Sequence, residues 1–285
     1  MIIDSHAHYT HFKFENSFRY LAREGEEFVV REGSRKTVLN DLSEAGFTAF
    51  IEPAIELSSN EKLLCFCREH PGFHPAVGVH PTRTAALKRK DRAALAGYAE
   101  DENVVAIGET GLDFHLPRAE QHRLRQIIWF RFQIELAHRK KLPLVLHIRR
   151  AHRAGVTVLR LHRKKLHGGV AHYFNGTARQ AAELVGLGLH IAVGGALLRG
   201  NAALEEAVRT IPIERLLVET DAPYEPPAFP AGELSKRSAR NVRNTSLILP
   251  AVIERIAELK GMDAGAVEEA IFLNTRRLFG LEQAH

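Results

Sequence analysis

The sequence predicts an α/β fold, a (β/α)8 TIM barrel spanning residues 1–285 as a single domain. Three observations carry that expectation. Eight short runs rich in β-branched and aliphatic residues alternate with helical patterns along the 285 residues. Several runs are continuously apolar, as strands buried on both faces of a parallel sheet are. Most of the eight end in histidine or a carboxylate, and in a barrel the chemistry sits at the carboxyl ends of the strands.

The expected strands cover 1–6, 47–53, 73–78, 104–109, 142–147, 168–173, 190–194 and 215–219. Val104–Ile107, Leu142–Leu146 and Leu216–Val218 are the clearest apolar runs. Between them helices are expected at 59–69, 89–100, 118–141, 177–187, 201–209 and 247–260, with one or two more over 263–279. The 118–141 helix has a wide stripe through Leu124, Ile127, Ile128, Phe132, Ile134, Leu136 and Ala137, and a basic last turn before Pro143. Trp129 on that helix reads as core. An open doubly wound sheet is the structural alternative, but no G-x-G-x-x-G follows any strand. No internal repeat, linker or composition break divides the chain.

Hydrophobic residues make up 45% and charged residues 26%, enough apolar material for a sizeable core. The formal net charge of +5 permits an anionic substrate. Cys65 and Cys67 lie two apart on a helix and do not face each other, so neither a disulfide nor a zinc pair is expected. Scarce cysteine fits a reducing compartment. MIIDSHAH reads as a strand rather than a signal peptide, and no stretch approaches the roughly 20 apolar residues of a membrane span. A cytoplasmic location is the expectation.

The strand ends hold the chemistry. The first delivers Asp4-Ser5-His6-Ala7-His8, the third Gly78-Val79-His80, the fourth Glu109 followed by Asp113, the fifth His147, the sixth His172, and the eighth Glu219-Thr220-Asp221. Gathering so many ionisable groups costs heavily unless divalent cations compensate. Residues two apart on a strand share a face, so His6 and His8 can grip one ion. The first and last strands of a closed barrel are neighbours, which brings Asp221 to the same ion. Glu109 can bridge to a second ion completed by His147 and His172. Nitrogen and oxygen donors together suit Zn2+, Mn2+, Co2+ or Fe2+, while Mg2+ prefers oxygen. Arg149, Arg150 and the basic 236–243 segment, which includes Arg243, are candidates for holding flanking phosphates. Glu219 is expected either to order a ligand or to pair inside the barrel, and Asp113 to steady the loop after Glu109.

The motifs DSHAH (4–8), AVGVHP (76–81), AIGETGLDF (106–114), LPLVLH (142–147), AHYFNG (171–176), LLVETDAP (216–223), Arg243-Asn244 and NTRRLFGL (274–281) occur in order. In these the chain resembles the TatD-type metal-dependent deoxyribonucleases, a branch of the amidohydrolase-like barrels. The resemblance implies His6, His8 and Asp221 on one metal, His147 and His172 on the other, and Glu109 shared. It further implies that Asp221 acts as the base for the attacking water, that His80 lies near the substrate phosphate, and that Mg2+ serves as cofactor. The activity implied is hydrolysis of DNA phosphodiesters from a 3′ end. The sequence departs from the family's pattern at Ile148-Arg149-Arg150-Ala151 after His147, and at Tyr173 and Asn175 after His172. Long segments follow the first and last strands, at 9–36 and 226–242. Two alternatives stand beside the nuclease: an amidohydrolase-like enzyme acting on a small amide, ester or lactone, and a barrel that docks a protein partner through those two segments.

Overall fold

The computed structural model describes residues 1–115, 119–227 and 241–281, with the backbone alone for 119–121. Its strands are β1 (Ile2–Asp4), β2 (Phe18–Glu24), β3 (Glu27–Gly33), β4 (Phe47–Pro53), β5 (Phe73–Val77), β6 (Ala106–Asp113), β7 (Leu144–Arg149), β8 (Gly169–Ala171), β9 (His190–Val193), β10 (Leu216–Val218) and β11 (Val242–Arg243). Its α-helices are α1 (Arg35–Glu44), α2 (Ser59–Glu69), α3 (Asp91–Tyr98), α4 (Ala119–Lys140), α5 (His152–Leu161), α6 (Ala178–Val185), α7 (Ala202–Thr210), α8 (Leu249–Lys260) and α9 (Ala264–Phe279). Eight strands form one sheet in the order β1-β4-β5-β6-β7-β8-β9-β10, the chain order of an α/β TIM barrel. The pairs β1–β4, β5–β6, β6–β7, β7–β8 and β8–β9 are parallel. Each expected barrel strand is present. No helix of the described residues is long and apolar enough to cross a membrane.

Two compact units, each discontinuous in sequence, make up the chain. The first comprises Met1–Ile51, Tyr173–Ala178 and Ala192–Asn274. In it, Ser5 N–H donates to Val218 O (3.0 Å), and Ala7 pairs with Ala222 in a parallel bridge, so the first and last strands of the sheet meet. Asp4 is fully buried at the end of β1. Its carboxylate accepts from the Thr220 and Ser246 hydroxyls (2.6 Å each) and from the His6 and Thr220 amides. Burial outweighs these bonds and pushes its pKa up to about 6.

The same unit holds a small sheet in the order β11-β2-β3, with β2 and β3 in the long segment after the first barrel strand and β11 after the last, where the sequence predicts no elements. The hairpin β2–β3 turns through two residues, with Gly25 at φ 61°, a left-handed conformation that suits glycine. No residue of β3 is buried, so its sequence lacks the apolar alternation that reveals a strand. The sequence reading also has no helix over 35–44 or 152–161. The first of these starts at Ser34, which exchanges a capping box with Thr37.

The second unit comprises Glu52–His172, Arg179–Ile191 and Thr275–His285. Helix α4 packs against β6, burying Trp129, Phe130 and Ile134. Two buried glutamines on α4 replace missing strand partners. Gln126 accepts from the Asp113 amide and donates to its carbonyl, and Gln133 does the same for Val79. Cys65 and Cys67 are both free thiols on α2.

Strand β6 extends four residues beyond its expected end. Its register with β7 shifts between Ile107 and Thr110, then resumes as Thr110↔Leu146, Gly111↔His147, Leu112↔Ile148 and Asp113↔Arg149. Glu109 therefore sits at a strand irregularity, a device that re-aims a side chain. Gly111 allows the pairing to resume. Its φ is 139°, and a Cβ there would lie 2.1 Å from the His147 carbonyl oxygen. Gly111→Ala is accordingly expected to lower stability by about 3 kcal/mol or more, read from urea unfolding. An unchanged midpoint would contradict this account of β6.

Candidate metal centre

In the first unit, backbone hydrogen bonds tie the stretch after β1 to its neighbours. Ala7 N–H donates to Ile51 O, His8 N–H to Ala222 O (2.7 Å) and Asp221 N–H to His6 O (3.0 Å). This pairing sets three side chains together. His6 Nε2 and His8 Nε2 lie 3.1 Å apart. Asp221 Oδ1 lies 3.2 Å from His8 Nε2 and 3.6 Å from His6 Nε2. His6 and His8 are buried, and Asp221 is the member that reaches solvent. Metal–nitrogen and metal–oxygen bonds of about 2.0–2.2 Å place neighbouring ligand atoms roughly 3–3.5 Å apart. The three donors fit that spacing.

In the second unit, Glu109 Oε1 lies 2.8 Å from both His147 Nδ1 and His172 Nε2, and those two nitrogens are 3.0 Å apart. This triangle also has the spacing of a ligand set. His80 Nε2 stands beside it, 3.2 Å from His147 Nδ1 and 3.5 Å from Glu109 Oε1. Burial drops the His80 pKa to about 3, so its ring is neutral. The Thr82 amide points at His80 Nδ1 (3.2 Å), which makes Nδ1 an acceptor and leaves the proton on Nε2. His80 thus presents an N–H to the cluster, as a donor toward an oxyanion does, rather than a lone pair.

Asp113 has a role that the sequence reading missed. Its Oδ2 lies 3.0 Å from His147 Nε2. A proton on Nε2, held by this carboxylate, orients the ring and leaves Nδ1 free to ligate. Asp113 is itself fixed by Gln126 at its amide and carbonyl, and its Oδ1 accepts from the His115 amide. The sequence signal was the four-residue spacing from Glu109, which points to an outer carboxylate only once β6 is known to continue. Without metal, burial disfavours a charged His147, yet bonds to Asp113 and Glu109 outweigh it and raise the pKa to about 9.

The remaining expected residues fall as follows. Buried Glu219 accepts a hydrogen bond from the Tyr173 amide, ordering the residue that follows His172. Arg149 and Arg150 are both exposed at the end of β7. Arg243, on β11, donates from Nε to the Lys13 carbonyl (3.4 Å). Lys236, Arg237 and Arg240, and most of the 226–242 segment, lie outside the described residues.

A sequence profile of the family described as "TatD related DNase" matches residues 3–280. A protein of Erwinia tasmaniensis named "3'-5' ssDNA/RNA exonuclease TatD" is 33% identical over 250 residues, covering 87% of this chain and 94% of that one. A protein of Bacillus subtilis named "Uncharacterized metal-dependent hydrolase YabD" is 30% identical over 280 residues, covering 98% and 99%. Among solved structures, YJJV, a TatD homologue from Escherichia coli, superposes with a TM-score of 0.82 at 28% identity, over 98% of each chain.

The Asp113–His147 contact makes a test with a definite sign. In metal-free protein the fold favours charged His147. That contribution is fully present below about pH 6.5, the ordinary histidine value, and is lost as pH rises through about 9. Asp113→Asn is expected to bring the His147 titration down toward 6.5 in NMR spectra and to flatten the stability profile across that window. A His147 titration that stays near 9 in the variant contradicts the assignment.

Proposed function

As the chain belongs to the TatD related DNase family, and so is a metal-dependent hydrolase of phosphodiester bonds, we propose that it trims single-stranded nucleic acid from the 3′ end. The observation that carries this reading is the presence of two imidazole–carboxylate donor sets at ligand spacing, His6–His8–Asp221 and Glu109–His147–His172. Each set is proposed to hold one divalent cation. The family's pattern, rather than a measured distance, assigns Glu109 to both ions. Mg2+ is the cation that pattern implies, and the nitrogen donors equally suit Zn2+ or Mn2+.

Bound cations would supply Lewis-acid charge at the phosphoryl oxygens and acidify water toward neutral pKa values. The protein's own residues do the rest. Asp221, the partly exposed member of its set, takes the proton of the water that attacks phosphorus. His80, neutral and protonated on Nε2, donates to a phosphoryl oxygen. Asp113 keeps His147 in the ligating tautomer. Arg149, Arg150 and Arg243 are the proposed contacts to substrate phosphates, so affinity falls as salt rises.

Digestion of oligonucleotides labelled at the 3′ or the 5′ end tests the reading. Early release of single 3′ nucleotides is expected, and a panel of small esters, amides and lactones should be turned over far more slowly. Preferential hydrolysis of a small ester or amide would overturn the nuclease assignment. Asp221→Asn is expected to lower kcat by about 100-fold or more while the protein stays folded, the usual size of a lost general base. Near-normal turnover would remove Asp221 from that role.

A further inference from the structure

We propose that Phe12, Lys13, Tyr224 and Arg243 form a nucleotide subsite beside the His6–His8–Asp221 set, with a base stacked on Phe12 and its phosphodiester held by Lys13 and Arg243. The proposal rests on the nuclease reading, which already gives Arg243 a substrate phosphate, and it adds the base beside that phosphate and Lys13 as its second cation.

The short turn Phe12–Phe14 presents two aromatic rings in opposite directions. Phe14 is buried and stacks on Tyr9, with centroids 4.9 Å apart and planes at 29°. Phe12 is 66% exposed, the one aromatic among the large exposed apolar side chains of the described residues. Exposing a phenyl ring on a rigid turn is costly in water, and a nucleic-acid base offers the flat partner that removes the cost. The turn is pinned beneath it. His11 Nδ1 accepts from the Lys13 amide (3.1 Å), so Nε2 carries the proton and donates to the Tyr224 hydroxyl oxygen (2.8 Å). The His11 ring also lies against Phe12, with centroids 4.2 Å apart.

Charge is arranged to match. Lys13 Nζ sits 4.0 Å above the centre of the Tyr224 ring, a cation–π contact that fixes a normally mobile ammonium. Arg243 is tied to the same turn through the Lys13 carbonyl. Burial and the Arg243 charge both disfavour the Lys13 ammonium, and the Asp221 charge only partly offsets them. A phosphate lying between Lys13 and Arg243 relieves that repulsion. The subsite adjoins the cation set directly, because Tyr224 N–H donates to Asp221 O (2.8 Å) and the Tyr224 ring meets the His8 ring edge-on at 6.4 Å. Stacking on Phe12 tolerates any base and needs an unpaired one, which selects single strands over duplex.

The test uses the full chain, its activating cation and single-stranded oligonucleotides carrying one abasic position, stepped nucleotide by nucleotide from the 3′ end. For wild-type protein, one position is expected to raise KM roughly tenfold when its base is missing. Phe12→Ala is expected to raise KM by about the same factor on intact substrate and to erase the penalty at that position, while Phe12→Trp keeps both at wild-type values. Lys13→Gln is expected to raise KM and reduce the salt slope by about one. Wild-type cleavage combined with a Phe12→Ala KM within about twofold of wild type, or with an abasic penalty that persists in the variant, overturns the subsite alone. A wild-type protein that leaves every oligonucleotide uncut overturns the nuclease reading and the subsite together.

Discussion

Backbone pairing between parallel strands is the constraint on which the chemistry depends. Side-chain donors can meet within about 3 Å only if the chain segments carrying them are held in register. At one set, the Ala7–Ala222 bridge and the Asp221 N–H to His6 O bond fix the relative positions of His6, His8 and Asp221. At the other, the Gly111↔His147 and Asp113↔Arg149 pairs bring an outer carboxylate onto the far nitrogen of the His147 ring. The register shift just before them leaves Glu109 out of the regular ladder and turned toward the histidines. A slip of one residue on either strand would send these side chains to the opposite face.

Supporting polar groups defend that register. Asp4, fully buried, ties β1 to Thr220 and Ser246 through three hydrogen bonds and accepts a fourth from the His6 amide. Ser246 in turn bonds Tyr9, whose ring stacks on Phe14 beneath the turn that carries Phe12 and Lys13. Gln126 and Gln133 supply side-chain amides where β6 and the segment after β5 lack strand partners. Buried polar groups of this kind are stable because each is matched, and losing one partner costs more than the bond is worth. The clusters themselves follow the same logic. Imidazole nitrogens and carboxylates brought this close need protons or cations among them.

Much of this was legible in the sequence. Continuous apolar runs marked the barrel strands, and their ends named all six proposed ligands, because chemistry at a strand end interrupts an otherwise apolar pattern. What escaped notice lacked such contrast. Strand β3 buries none of its residues, and its three apolar side chains, Phe28, Val29 and Val30, are consecutive rather than alternating, so it read as loop. The continuation of β6 through Gly111 was hidden because glycine and aspartate usually end strands. That concealed Asp113 as the partner of His147. The donor role of His80 depends on which ring nitrogen meets the Thr82 amide, a fact of folding rather than of composition. Phe12 and Lys13 sit in a segment that mixes aromatic, basic, acidic and aliphatic residues without a regular period. Their shared site with Tyr224 and Arg243 links positions more than 200 residues apart in the chain.

His6, His8, Glu109, His147, His172 and Asp221 are proposed to hold the divalent cations on which hydrolysis depends. Metal content of the purified protein, measured by plasma mass spectrometry before and after chelation and followed by reconstitution, tests this proposal most directly. About two divalent cations per chain, loss of cleavage on chelation and its return with added cation are expected. A protein that cleaves at full rate after every divalent ion has been stripped would contradict the proposal.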